Sequence, residues 1–220
     1  VPLVLGEDEH RLYLWKPSGI PVFPPHADPS GDCLYTRLCA WDASRTTGWP
    51  PGFEGGIAHR LDTATSGLVV AARAPGDLTA LRAEFSSHIL RKFYVFRSAG
   101  VAAAAVRTDP IAHHPNRKDR MVTRRGPRTA HRGKWYDAWT RFTPLGEGWW
   151  EAEIRTGVMH QIRVHAQAAG IPLDGDERYG GAPGRLVLHH VRMIGPGWAS
   201  PPAPLPDELR PGAPDVLVRP

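Results

Sequence analysis

The sequence predicts an α/β chain in which short strands alternate with a few helices, and three observations carry that reading. An amphipathic helical face runs over 77–90, and a second helix over 160–169 is closed by Gly170. Apolar or alternating runs suited to strands stand near 11–15, 68–72, 91–96, 135–142, 149–155 and 186–188. The 23 glycines and 23 prolines, about a fifth of 220 residues, argue for many turns and against a helical bundle. A hydrophobic content of 41% with 22% charged residues fits a globular chain and not a disordered one. No stretch approaches the roughly 20 apolar residues of a membrane span.

In chain order, Arg11 to Trp15 reads as a strand running into Lys16-Pro17-Ser18-Gly19, a strong turn signal. A helix is placed around Cys33 to Trp41, followed by a loop rich in Gly, Pro and Trp. GIAHRLDTATSGLVVAARA then gives an apolar entry, a polar loop and a buried strand from Leu68 to Ala72. Asp77 reads as the N-cap of the helix over 77–90, which puts Leu78, Leu81, Phe85 and Ile89 on one face. RKFYVF alternates, with Phe93 and Val95 on one side and Lys92, Tyr94 and Phe96 on the other. The basic segment that follows is poor in periodic apolar residues and reads as an excursion from the core. Strands return near 135–142 and 149–155, then come the 160–169 helix, the turn-rich IPLDGDERYGG and an apolar strand at Leu186 to Leu188. The tail, 195–220, is Pro-rich and is expected to wrap the surface. No internal repeat or linker interrupts the chain.

Cys33 and Cys39, six positions apart, are too few for a disulfide framework or a zinc site. They read as reduced thiols of a cytoplasmic protein, and VPLVLGEDEH lacks the basic start and apolar run of a signal peptide.

The charge is unevenly spread. Between 113 and 134, Arg117, Lys118, Arg120, Arg124, Arg125, Arg128, Arg132 and Lys134 face only Asp119, whereas the whole chain carries +5. The excess is one patch, as polyphosphate recognition requires, because each neutralised phosphate releases condensed counterions. Arginine dominates, which favours bidentate phosphate or base contacts over simple solubility. A solvated surface loop is the plainer reading of the same run.

The densest polar sequence in an apolar frame is His59-Arg60-Leu61-Asp62-Thr63-Ala64-Thr65-Ser66-Gly67. A carboxylate there, just before a buried strand, must have its charge matched. Asp62 is either a structural turn acid capped by Thr65 and Ser66 or a reactive group held by a nearby cation; spacing leaves both open. His160 and His165 diverge by about 140° on a helix and His189-His190 point opposite ways on a strand, so no metal site is read from them. Asp174 and Asp176 share a turn and could mimic paired glycosidase carboxylates, but acids in turns are mostly turn formers. The nucleophile elbow, the P-loop and the dinucleotide fingerprint are all missing.

HRLDTATSGL, then RKFYVF, then TGVMHQIRVHAQAAGIPLDGDERYGG, resembles the RluA-type branch of the pseudouridine synthases in motif and order. KPSGIPVFP, PNRKDRMV and LVLHH look like further family blocks, so the likeness spans about residues 11 to 190. The resemblance implies a mixed, largely antiparallel central sheet flanked by helices and loops. It also implies a single catalytic domain over 1–220, with two subdomains sharing the sheet and a cleft between them, and no separate N-terminal RNA-binding domain.

The implied activity is isomerisation of uridine to pseudouridine in ribosomal or transfer RNA by a monomer, with no metal, nucleotide or other cofactor and no membrane partner. Asp62 matches the family's catalytic aspartate, Tyr94 the tyrosine that packs on the uracil, and Arg163 the basic residue that pairs with the aspartate. Arg60 matches the side chain that fills the gap left by a flipped nucleotide, and Leu186 or a neighbour an apolar pocket wall. The basic residues from Arg117 to Arg132 would meet phosphates. Two departures stand out: Val158-Met159 replace an Arg-Thr pair, and His189-His190 replace a more usual His-Ala. A non-catalytic RNA-binding protein or RNA chaperone on the same scaffold is the rival reading, and it would not need Asp62.

Overall fold

A computed structural model describes residues 3–25, 28 and 30–215; the last five residues of the predicted tail fall outside them. The strands, in order, are β1 (Val4–Glu7), β2 (Arg11–Lys16), β3 (Ser66–Ala72), β4 (Arg91–Arg97), β5 (Ala105–Arg107), β6 (Ile111–His113), β7 (Met121–Thr123), β8 (Arg132–Tyr136), β9 (Thr140–Gly146), β10 (Trp149–Ile154), β11 (Leu188–Gly195) and β12 (Trp198–Ala199). The helices are α1 (Leu34–Trp41), α2 (Pro75–Ser86) and α3 (Gln161–Ala168), with four short 3-10 turns. Among the described residues no helix is long and apolar enough to cross a membrane. The chain divides into two compact units, one built on residues 1–90 with 189–211, the other on 91–188.

In the first unit β1, β2 and β3 pair antiparallel, β3 pairs parallel with β11, and β12 pairs antiparallel with β11. Every residue of β3 is buried, as its unbroken apolar run predicts for a strand covered on both faces. Its side chains pack with Tyr13, Leu78, Leu81, Met193 and Ala203. The tail does more than wrap: Ala203, Leu205 and Leu209 are buried, and the Ala203 N–H donates to the Val191 carbonyl at 2.7 Å. Gly67 explains the Ser-Gly that opens β3. It adopts φ +119°, and a Cβ there would collide with the backbone N, C and O of His190 on the parallel neighbour.

Helix α2 begins earlier than the sequence suggests. Pro75 takes its first position, and Asp77 acts from the third by accepting from the Ala74 N–H at 3.0 Å. The helix also stops at Ser86, with His88 at φ 56°, so Ile89 is exposed and not part of the apolar face.

In the second unit β4, β10, β9 and β5 form an antiparallel sheet, and β7, β6 and β8 a smaller one. The alternation in RKFYVF does not separate wet from dry, since β4 is buried from Lys92 to Phe96 on both faces. The predicted strand over 135–142 is two strands, β8 and β9, with 137–139 between them. The basic segment is not a bare excursion: Ile111 and Met121 anchor its three-stranded sheet against Ala138, Val164 and Tyr179 of a second core. Two apolar anchors in separate short strands leave no period to read. The strand predicted at Leu186 to Leu188 begins at Leu188 and runs on to Gly195.

Candidate active site

Asp62 and Arg60 lie in the first unit. Leu61 is buried, His59 and Asp62 are half-buried and Arg60 is exposed. His59 is pinned by the Val70 N–H, which donates to its Nε2 at 3.0 Å, and its ring stacks on Phe85 at 5.0 Å. At Asp62 the chain turns, and the Thr65 N–H donates to the Asp62 carbonyl at 3.0 Å. This bond uses the main chain of Asp62. The Ser66 hydroxyl is turned to another partner, His189 Nδ1, at 2.9 Å.

The turn is held from below by the KPSG block. Lys16 is fully buried at the end of β2, and its Nζ donates to the carbonyls of Pro17 (2.8 Å), Ile20 (2.7 Å) and Thr63 (3.2 Å). The Gly19 N–H donates to the same Thr63 carbonyl at 2.9 Å, and the Ser18 hydroxyl to the Ala64 carbonyl at 2.7 Å. Burial lowers the Lys16 ammonium to about 8, and the Asp62 charge acts in the opposite sense. The sequence marks KPSG only as a turn, although a lysine closing an apolar strand is a signal that its charge is satisfied inside.

Tyr94, Arg163 and Leu186 lie in the second unit. Tyr94 is the central residue of β4, opposite Ala152 of β10, and is buried. Arg163 comes from the first turn of α3, a helix fixed by its neighbours. Gln161 Nε2 donates to the Trp139 carbonyl (2.9 Å) and Thr140 Oγ1 (3.0 Å), and its Oε1 accepts from Thr156 Oγ1 (2.9 Å) and the Val158 N–H (3.1 Å). Val158, one of the two departures from the family pattern, therefore serves α3 through its backbone.

Arg163 makes a bidentate pair with Asp176, Nε to Oδ2 at 2.7 Å and Nη2 to Oδ1 at 2.8 Å. Asp176 is 2% exposed and Arg163 9%. The sequence marks Asp176 as a turn former; the signal for more is an acid directly after a glycine, a few residues beyond the 160–169 helix. Gly175 brings the loop close: at φ +78° it sits where a Cβ would collide with the Arg185 carbonyl group, beside buried Leu186.

The histidines of α3 and β11 have structural partners. His165 bonds Thr140 Oγ1 and the Asp109 carbonyl, both at 2.9 Å, and burial lowers its pKa. His189 lies between Ser66 and the Ala203 carbonyl, and His190 Nδ1 meets the Leu68 carbonyl at 2.7 Å. Among the described residues no three His, Cys, Asp or Glu side chains gather as metal ligands. Cys33 and Cys39 are free thiols; Cys33 caps α1 by accepting from the Thr36 N–H.

Arg117, Lys118, Arg124, Arg125, Arg128 and Arg132 are exposed around the small sheet, and Arg120 is half-buried. Arg120 and Arg125, with His114 and Thr123, line a recess of about 300 Å³ floored by Met121 and Val164. Arg120 also lies over the Tyr179 ring, 5.4 Å from its centroid, and Arg124 over Trp135 at 6.0 Å. Guanidiniums held on aromatic rings stay fixed while exposing N–H edges to an anion.

The family described as RNA pseudouridylate synthase matches residues 10–168. Among curated relatives, "Ribosomal large subunit pseudouridine synthase D" of Xanthomonas campestris pv. campestris is 33% identical over 185 residues, 83% of this chain and 53% of the relative. "RNA pseudouridine synthase 2, chloroplastic" of Arabidopsis thaliana is 30% identical over 214 residues, 82% of this chain and 50% of the relative. The chain thus spans about half the length of these relatives. Of solved structures, "Human RNA Pseudouridylate Synthase Domain Containing 1" superposes with a TM-score of 0.72 over 94% of this chain and 84% of that one, at 18% identity, a likeness of fold. The motif order, the mixed and largely antiparallel sheets and the extent of the family match lead to one conclusion: the chain belongs to the RNA pseudouridylate synthase family.

Proposed function

We propose that this chain isomerises particular uridines of structured RNA, ribosomal or transfer, to pseudouridine, with both compact units serving one reaction. The observation that carries the reading is the Asp62 turn. A half-buried carboxylate there is braced through the main chain by Lys16, Ser18 and Gly19, inside a motif the family match includes. Such bracing sets where the carboxylate stands through groups other than its own oxygens, as a reacting group needs.

The reaction breaks the C1′–N1 glycosidic bond and forms a C1′–C5 bond to the same ribose; the C5 proton is lost and N1 gains one, so no electrons are exchanged. An ionised Asp62 either attacks C1′ or removes the C2′ proton. Arg163 supplies the cation that pairs with that carboxylate. Tyr94 offers a flat face on which the detached uracil turns, with a hydroxyl for proton handling, and Leu186 an apolar wall. Extruding the base costs a few kcal/mol. Arg60 stacking into the gap and phosphate contacts from Arg117, Lys118, Arg120, Arg124, Arg125, Arg128 and Arg132 offset that cost. The expected setting is the cytoplasm, although the Arabidopsis relative carries "chloroplastic" in its name.

The deciding experiment is a map of pseudouridines in cellular RNA with and without this gene, repeated after complementation with Asp62→Ala. Sites that vanish with the gene and return only with the wild-type chain support the reading. Full rescue of the cellular effect by Asp62→Ala would instead favour the RNA-binding protein that does no chemistry.

A further inference from the structure

We propose that Asp176 and Tyr179 are positioning residues that clamp the Arg163 guanidinium in one orientation for its work on the reacting carboxylate. The inference rests on the role given to Arg163 above. An arginine side chain carries about 2 kcal/mol of rotamer entropy, so an unsupported one would present a cation at no fixed angle. Two contacts remove that freedom here. Tyr179 packs against the guanidinium, its ring centroid 5.0 Å from Cζ, and limits how far it can swing. Asp176 grips the Nε edge with two bonds of 2.7 and 2.8 Å, and a bidentate pair of this kind fixes the guanidinium's orientation. The edge of the guanidinium turned away from Asp176 is thereby given a defined direction.

Tyr179 is itself fixed. It is fully buried, its hydroxyl accepts from the Met121 N–H at 2.8 Å, and it shares a hydrogen bond of 2.9 Å with His160 Nδ1. The His160 ring stands edge-on to it at 84°. Burial pushes the Tyr179 hydroxyl up to about 12, so it stays protonated and keeps both bonds.

A plain stabilising role explains these contacts less well. Helix α3 is already held by Gln161 and His165. The 173–187 loop is closed by its own backbone bonds, Gly175 to Ala182 (3.0 Å), Gly181 to Asp176 (2.9 Å) and Val187 to Asp174 (2.9 Å). A buried ion pair adds little net stability, because desolvating both charges offsets their attraction. What the pair adds, and the backbone bonds do not, is a fixed guanidinium.

The test compares the wild-type chain with Asp176→Asn and Tyr179→Phe on one RNA that the wild type modifies. The single-turnover rate should fall about 10- to 100-fold in Asp176→Asn, the scale of a reacting group displaced by an ångström. RNA affinity should stay within about twofold, since the clamp acts on the chemical step. A wild-type rate in both variants, or a loss that merely tracks weaker RNA binding or a smaller folded fraction, would overturn the clamp. Should Asp176→Asn fold poorly, Arg163→Ala with added guanidinium ion decides. Recovery that needs Asp176, and is absent in Arg163→Ala/Asp176→Ala, supports the clamp, and recovery independent of Asp176 refutes it. The Arg163 Nε–H resonance in the wild type, slow to exchange and lost in Asp176→Asn, tests the clamp on the chain alone. It does so even if no RNA is modified, the outcome in which the proposed function fails instead.

Discussion

The buried Lys16 ammonium donates to the carbonyl of Thr63, the residue after Asp62, at 3.2 Å. The sheet itself makes this link: β2 pairs with β3, Lys16 opposite Gly67, and so carries the lysine under the turn. Lys16→Met should therefore deprive the Pro17, Ile20 and Thr63 carbonyls of their donor and destabilise the chain by about 2 kcal/mol. Activity of the fraction still folded should fall about tenfold or more as the turn loosens. Denaturant melts and single-turnover rates read the two effects, and a variant with wild-type rate would remove Lys16 from the site's support.

The pH dependence of stability and of rate should part company above pH 8. Lys16 sits at about 8 when folded against 10.5 as its ordinary value, so between these the unfolded chain binds more protons and stability gains with rising pH. Burial brings Lys92 to about 8 as well, with the same sign. The penalty of burying both ammoniums is thus complete below pH 8 and relieved above it. The rate should fall over the same range, because a neutral Lys16 loses a donor to the Asp62 turn. Rate and melting temperature moving together would contradict this.

Gly67→Ala should cost about 3 kcal/mol or more, since a Cβ would meet the His190 backbone with no side chain to yield. Chemical denaturation measures it. Ser66→Ala, which gives up only the hydroxyl bond to His189, should cost about 1 kcal/mol. Equal costs would mean that the parallel β3 and β11 pair can separate freely.

Removing Arg117 and Lys118 together should weaken RNA binding and flatten its salt dependence, by about 0.7 to 0.9 in the log–log slope for each phosphate no longer neutralised. Both are exposed and need no refolding to be replaced. Binding titrations from low to high salt check this, and an unchanged slope would place the RNA elsewhere.

The elements with a local signal could be read in advance: a strand from Arg11 to Trp15, a helix around Cys33 to Trp41, a buried strand from Leu68 to Ala72 and a helix closed by Gly170, which the structure places as β2, α1, β3 and α3. The candidate residues Asp62, Tyr94 and Arg163 are proposed from motifs whose order along the chain survives without any knowledge of shape. Tertiary structure decided the rest. Asp176 became a buried partner of Arg163 because a loop folded over Gly175 brings it there, and Lys16 became a support because β2 lies beside β3. The basic segment became a sheet because Ile111 and Met121 reach one core with Tyr179. Periodicity reports which face of an element is dry, but which distant atom satisfies a buried charge depends on contacts that chain order does not encode.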